Sequence, residues 1–287
     1  MEVPDSLKSL ARHEGGAAWL RDLPGLVDTC VERWSLTEVG TPYEGGMAGY
    51  VVPAIGADGA AVVLKVQWPH RECEHEGEAL RRWAGNGAVR LLDEDREAHA
   101  LLLERAEPGD RLTASPPDLA TGVIISLVRR LSVPVTGPFT SLDDESTHWG
   151  DTLPREWERA GRPFEADLVD TALGLLRELG PTQGPSVLLH QDLHADNVLA
   201  AEREPWLAID PKPLAGEREF AVAPLVRDSC LGHTRQAVRR RLDRACDELE
   251  LDRERARGWT IAQTIAWAGD NDVTTARHVQ TARWLID

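Results

Sequence analysis

Residues 186–212, SVLLHQDLHADNVLAAEREPWLAIDPK, decide the fold of this chain. An apolar run, Val187-Leu188-Leu189, leads into a dense polar cluster from His190 to Asn197. The apolar pair Val198-Leu199 follows, then a charged turn from Glu202 to Pro205, then a second apolar run from Trp206 to Ile209 that stops on Asp210. Short apolar segments separated by a turn predict a hairpin. That hairpin would bring Asp192, Asn197 and Asp210 into one small volume.

Such a trio suits phosphoryl transfer. One carboxylate can take the proton of an attacking hydroxyl, while an amide oxygen and a second carboxylate hold Mg2+ against nucleotide phosphates. His190-x-Asp192 with an Asn five residues after the Asp is the pattern of the protein-kinase catalytic loop, with Gln191 where that pattern has Arg. The plainer alternative is a polar turn whose carboxylates are solvated, and a lone motif of this kind recurs by chance. The rest of the chain has to decide.

A chain of 287 residues is long for one core and comfortable for two lobes. Its 42% apolar and 28% charged residues are ordinary for a soluble globular protein. No apolar run approaches a membrane span and the first thirty residues are charged, so neither a signal peptide nor a membrane helix is expected. Four cysteines stand far apart without a C-x-x-C, which suggests neither a disulfide framework nor a zinc site. The expected compartment is the cytoplasm. A net charge of −16 argues against binding nucleic acid and is compatible with a small cationic partner, although simple solubility explains it equally well. Among the 32 basic residues only three are lysines: Lys8, Lys65 and Lys212. An ammonium and a guanidinium are not interchangeable, so the places where lysine is kept are informative.

Taken in order, residues 1–35 read as amphipathic helical pieces broken at Pro24-Gly25. Gly45, Gly46 and Gly49 mark a turn between strands that could let backbone N–H groups approach phosphates, although no Gly-Lys-Ser/Thr follows. Ala61 to Val66 reads as a buried strand carrying Lys65, whose ammonium needs a partner there. Residues 71–84 read as a helix offering Glu76 and Glu78. Residues 87–93 and 98–104 read as two further strands, and Pro108-Gly109 ends the last. The expectation is an α+β chain: a five-stranded antiparallel small lobe over residues 1–105 with a leading helical segment, then a mainly helical lobe over 106–287. Within the second lobe, residues 132–163 read as a long loop or lid holding at most one helix, around Trp149 to Arg159.

Lys65, a following helix Glu, the loop from His190 to Asn197 and Asp210 occur in that order. With them, HQDLHADNVLA, EPWLAIDPKPLAGE and LLLERAEPG resemble the aminoglycoside phosphotransferases, in the branch of streptomycin 6-kinases and hydroxyurea-resistance kinases, over roughly residues 40–285. The resemblance implies a protein-kinase-like two-lobe fold and an ATP- and Mg2+-dependent phosphotransferase acting on a hydroxyl of a small polar acceptor. It implies that Lys65 binds phosphates and Glu76 orients it, and that Gly45, Gly46 and Gly49 shape the nucleotide loop. Glu104 to Ala106 would meet adenine, Asp192 would be the base, and Asn197 and Asp210 would be the metal ligands. His190 would brace the loop. Glu217, Gln263 and Trp267 are candidates for the acceptor side, with Glu219, Asp228 and Asp270 as further acidic groups. Two departures stand out: Gln191 where the family usually has Gly, and Tyr43 and Met47 where it usually has Ser or Thr. Alternatives are a sugar or metabolite kinase of the same fold, a nucleotide-binding pseudokinase, and a metal-dependent hydrolase. The last would use His190, Asp192, His194 and Asp196 alternating along an extended strand.

Overall fold

The structure, a computed structural model, describes residues 2–46, 48–135, 137–269 and 273–287. The chain divides into two compact units, Met1–Gly109 and Asp110–Asp287.

The first unit opens with a 3₁₀ turn, Asp5–Arg12, and helix α1 (Gly16–Arg33). The helix runs through Pro24, where a break was expected. Proline withdraws one backbone donor, but Trp19, Leu23, Val27 and Cys30 recur on one face and are buried. They join one apolar cluster with Val52, Ala54, Leu64 and Val66 of the neighbouring sheet. Burial of that stripe outweighs the local defect.

The sheet has four antiparallel strands, β1 (Gly49–Ile55), β2 (Ala61–Gln67), β3 (Leu91–Asp95) and β4 (Ala100–Glu104), in the order β1-β2-β4-β3. Strand β2 lies between β1 and β4, with Lys65 opposite Val51 on one side and Leu101 on the other. Five strands were expected. Residues 37–43 do run beside β1, through Thr37 N to Ile55 O, Gly40 N to Pro53 O and Tyr43 N to Val51 O. Pro53 has no N–H to return, and the segment itself contains Gly40 and Pro42, so no regular ladder forms. Helix α2 (Glu76–Trp83) is shorter than the 71–84 expected, because Arg71–Cys73 forms a separate 3₁₀ turn.

The short strand β5 (Pro108–Arg111) crosses the point of division. In the second unit come α3 (Pro117–Leu131), α4 (Leu142–Arg159) and α5 (Ala166–Leu179). Helix α4 contains the helix expected around Trp149 to Arg159 and corrects the loop before it by starting at Leu142: Ser141 caps it by accepting from Asp144 N, and three acidic residues fill its first turn. Four short strands follow. β6 (Val187–Leu189) pairs with β9 (Leu214–Gly216), and β7 (Val198–Ala201) pairs with β8 (Trp206–Ala208) as the expected hairpin. The chain closes with α6 (Ala223–Arg227), α7 (Arg235–Leu249), α8 (Arg253–Ala266) and α9 (Val273–Ile286). Helix α8 is buried almost throughout its last two turns and packs against α5 and α9. A Cβ at Gly258 would meet Leu179 Cδ1 at 3.0 Å, which is why a glycine serves at that crossing. Among the described residues, no helix is long and apolar enough to cross a membrane.

Candidate active site

The candidate residues fall into two groups, one in each unit. In the first, Lys65 lies on β2 and Glu76 opens α2. The Lys65 ammonium donates to both carboxylate oxygens of Glu76, at 2.8 and 2.7 Å, and Gln67 Nε2 donates to Oε2 at 2.6 Å. Lys65 and Glu76 are 7% and 2% exposed, so this is a desolvated ion pair at the N-terminus of a helix. Glu78 instead pairs with Arg82 on the outer face of α2.

Gly45 has φ +94°, a conformation that favours glycine. A Cβ at Gly46 would come within 2.9 Å of Gly49 O, so the turn closes back on itself. A Cβ at Gly49 would sit 3.7 Å from Lys65 Cε, which puts the base of this turn beside the ion pair. Met47, singled out within the turn, lies outside the described residues. Glu104 ends β4 with its N–H donated to Arg90 O and its carboxylate accepting from Arg90 N at 3.0 Å. Ala106 follows in the connector and is half-buried.

In the second unit the segment from His190 to Asp210 folds on itself. Strand β6 ends at Leu189, and Ala195–Asn197 forms a 3₁₀ turn. The alternation of His190, Asp192, His194 and Asp196 therefore does not lie along one extended face, and the hydrolase alternative loses its premise. Asn197 Nδ2 donates to Asp192 O at 3.0 Å, while Asn197 O accepts from Ile209 N at 3.0 Å. Asp192, Asn197 and the residue preceding Asp210 are thus tied directly to one another. Gln191 (φ +66°) and Asp210 (φ +57°) both hold left-handed backbone without being glycine. Strain of this kind is retained where surrounding contacts over-determine it.

His190 is buried, and its Nε2 donates to Ile209 O at 3.0 Å. Its carbonyl accepts from Lys212 N at 3.0 Å, so the residue ties together the two ends of the segment. Burial pushes the imidazole down to about 4 against the opposing influence of Asp192 and Asp210, and the ring is neutral near pH 7. It braces the loop.

Asp192 meets cations on both oxygens. Arg227 Nη2 and Oδ1 are 3.4 Å apart, and Lys212 Nζ and Oδ2 are also 3.4 Å apart. His194 Nε2 lies 3.7 Å from Oδ1. Burial alone would raise the acid, but Lys212, then His194, Arg227 and His190, outweigh it and hold it at about 2. Arg227 Nη1 donates to Gln263 Oε1 at 2.5 Å, and Gln263 Nε2 donates to Gln191 O at 3.2 Å. Trp267 presents its ring to both cations, at 4.4 Å from Arg227 Cζ and 4.6 Å from Lys212 Nζ. Gln263 is fully buried, so it positions Arg227 and does not itself face an acceptor.

Three acidic candidates have other work. Glu217 is buried, and its carboxylate accepts from Arg255, from Trp259 Nε1 and from Gly184 N at 3.1 Å. It clamps α8 to the loop before β6 and has no capacity left for a ligand. Asp228 accepts from Ala195 N at 2.8 Å and Cys230 N at 2.9 Å, bracing the 195–197 turn. Glu219 accepts from Asp252 N at 3.4 Å, and Asp270 lies outside the described residues. Arg227 was not foreseen and has no mark in the sequence; Lys212 was noted without a role, and the scarcity of lysine was its signal.

The profile of the aminoglycoside/hydroxyurea antibiotic resistance kinases matches residues 33–273. The chain is 40% identical to a streptomycin 6-kinase of Streptomyces griseus, over 98% of this chain and 95% of that one. It is 38% identical to a hydroxyurea phosphotransferase of Kitasatospora aureofaciens, over 92% and 78%. An aminoglycoside phosphotransferase crystallised with ADP and hygromycin B superposes with a TM-score of 0.60 at 16% identity, over 90% of this chain and 97% of that one.

Proposed function

The chain belongs to the aminoglycoside/hydroxyurea antibiotic resistance kinase family, and from that premise we propose that it moves the γ-phosphate of Mg2+-bound ATP to a hydroxyl of a small polar acceptor of the streptomycin or hydroxyurea kind. The family makes the chain an antibiotic-modifying kinase; the nucleotide, the metal, the acceptor and the residue roles are the proposal. The observation that carries it is Asp192, ionised at neutral pH and tied by Asn197 to the strand end that carries Asp210.

Asn197 and Asp210 fit Mg2+. The Asn197 amide nitrogen is committed to Asp192 O, which turns its oxygen the other way, and carboxylate with amide is a hard-oxygen donor pair. Among the described residues no cluster of three or more His, Cys, Asp or Glu could hold a softer ion alone. When bound, Mg2+ would neutralise phosphate oxygens and fix their geometry. Lys65, oriented by Glu76, would pair with phosphates, and the turn at Gly45, Gly46 and Gly49 would cover them. Asp192, with a pKa about 2, is a weak base in the ground state, so it would orient the acceptor hydroxyl and take its proton late.

The test is ADP release from Mg·ATP against streptomycin, other aminoglycosides, hydroxyurea and simple amino sugars. Acceptor-dependent ADP that disappears in Asp192→Ala, with Mg·AMP-PNP still bound, is the expected result. ATP binding with no stimulation by any acceptor would remove the antibiotic reading.

A further inference from the structure

A cavity of about 330 Å³ lies in the second unit between the start of α3 and one face of α7. Pro116, Pro117, Leu231 and Ala237 form its apolar wall. Arg240, Arg241 and Arg244 give it positive charge, against Asp118 as the one carboxylate among its lining residues. In a chain of net charge −16, three guanidinium groups around one small cavity run against the composition. None of these residues belongs to the cluster around Asp192. Like charges three and four residues apart on a helix repel, and an anion between them relieves the repulsion.

Arg241 is the decisive residue, at 4% exposure. Its Nη1 donates to Leu231 O at 3.0 Å and Gly232 O at 2.9 Å, and its Nη2 to Val226 O at 2.8 Å. The Nε is buried with no hydrogen-bond partner among the described residues. The guanidinium is thus held by neutral carbonyls with donors to spare. Burial pushes it down to about 10 against the influence of Asp228, so it stays charged near pH 7. The Asp228 oxygens already accept from Ala195 N and Cys230 N. A buried charge in this position favours an anion nearby. Arg240 and Arg244 are more accessible, paired with Asp118 at 3.0 Å and Glu248 at 2.6 Å. Exposed pairs of this kind contribute little, so a ligand displaces them easily. Arg244 is also fixed to α3: its Nη1 donates to Asp118 O at 2.8 Å, and a Cβ at Gly122 would come within 2.7 Å of its Nη2.

We propose that this cavity binds a small phosphate monoester, its phosphate held by Arg240 and Arg244 beside the buried charge of Arg241 and its carbon part against Pro116, Pro117 and Leu231. Guanidinium forks match phosphate oxygens, and the cavity has the size and the partly apolar wall of a site for a small organic molecule. The three carbonyls that Arg241 holds bracket Arg227 and Asp228, which reach Asp192 and Ala195 N. A ligand here would therefore brace the segment that supports the loop from His190 to Asn197. That effect rests on the proposed function; the binding itself does not.

The experiment titrates the full chain with glycerol 3-phosphate and, separately, with inorganic phosphate, in a calorimeter at constant ionic strength. Saturable binding of the ester, tighter than that of inorganic phosphate, is expected. The double variant Arg240→Gln/Arg244→Gln should weaken it about tenfold or more, and Asp118→Asn, which removes the competing carboxylate, should tighten it. Hydrogen exchange locates the ligand: the bound ester should slow exchange in peptides covering residues 116–121 and 226–244. No saturable binding tighter than about 1 mM, or a double variant within about threefold of the parent, overturns the site. Protection confined to residues 187–212 overturns it too, by placing the anion at the loop around Asp192. Equal affinity for inorganic phosphate overturns the ester as the ligand. Should the double variant fail to fold, Asp118→Asn carries the test: tighter binding supports the site and unchanged binding refutes it. None of these readouts needs turnover, so failure of the kinase reading leaves them standing and the two failures are distinguishable.

Discussion

The Lys65–Glu76 pair makes the most demanding prediction about the first unit. Glu76 accepts three short hydrogen bonds, two from Lys65 and one from Gln67, at 2% exposure. Removing one member of a buried pair strands the other, at a cost of about 3–5 kcal/mol. Lys65→Met and Glu76→Met are each expected to destabilise by that amount, a fifth or more of the ~5–15 kcal/mol typical of a folded domain. Removing both leaves no stranded charge. The double variant then loses the Gln67 bond, the other neutral contacts of the two side chains and some packing, about 1–2 kcal/mol. The singles should therefore exceed the double, with a coupling of about 4 kcal/mol or more. Urea denaturation of the nucleotide-free protein, followed by circular dichroism, measures all three. Single variants that cost less than about 1 kcal/mol, or a double variant equal to their sum, would mean that water relaxes the pair and that its burial is not energetic.

Other perturbations are as direct. His190 is held neutral to about pH 4 in the fold but titrates near 6.5 when unfolded, so stability is complete above pH 6.5 and falls by up to about 1.4 kcal/mol per unit towards pH 4; urea titrations across that window should show the slope, and His190→Gln should flatten it. Glu217→Ala leaves Arg255, Trp259 Nε1 and Gly184 N without their acceptor; a loss of about 3–5 kcal/mol in urea is expected, and a change in acceptor KM with unchanged stability would return Glu217 to the acceptor site. At Gln191, φ +66° favours glycine, and Nε2 is buried without a hydrogen-bond partner among the described residues. Gln191→Gly should melt above Gln191→Ala by the equivalent of about 1 kcal/mol; the reverse order would mean the loop does not hold that conformation in solution.

Much of the fold was legible because its elements carry their own signals. The hairpin of β7 and β8 needs only two apolar runs and a charged turn, and α5 and α7 show apolar residues at helical spacing. Helix α4 was foreseen only from Trp149 to Arg159; its first turns were missed because they are mostly polar and bury only Leu142, Glu145 and Ser146. Its start is a capping signal, Ser141 followed by acids, which a search for apolar periodicity passes over. The missing fifth strand was decided by Pro53 on the opposite side of the pairing, which the segment at 37–43 cannot reveal about itself.

The site divides along the same line. Asp192 and Asn197 belong to one loop, so spacing alone brings them together, and the apolar run ending at Asp210 carries that residue to them. Glu217 looked equally available because a carboxylate in a sequence does not show whether a distant arginine has claimed it; Arg255, 38 residues on, had. Arg227 was invisible for the converse reason. It reaches Asp192 from 35 residues downstream, and as one of 29 arginines it carries no distinguishing mark. Lys212 differs only by being a lysine where the chain almost always uses arginine. A guanidinium suits a site where a planar fork meets several partners at once, as Arg227 does between Asp192, Gln263 and Trp267, whereas the ammonium of Lys212 is a compact point charge on a longer flexible stem.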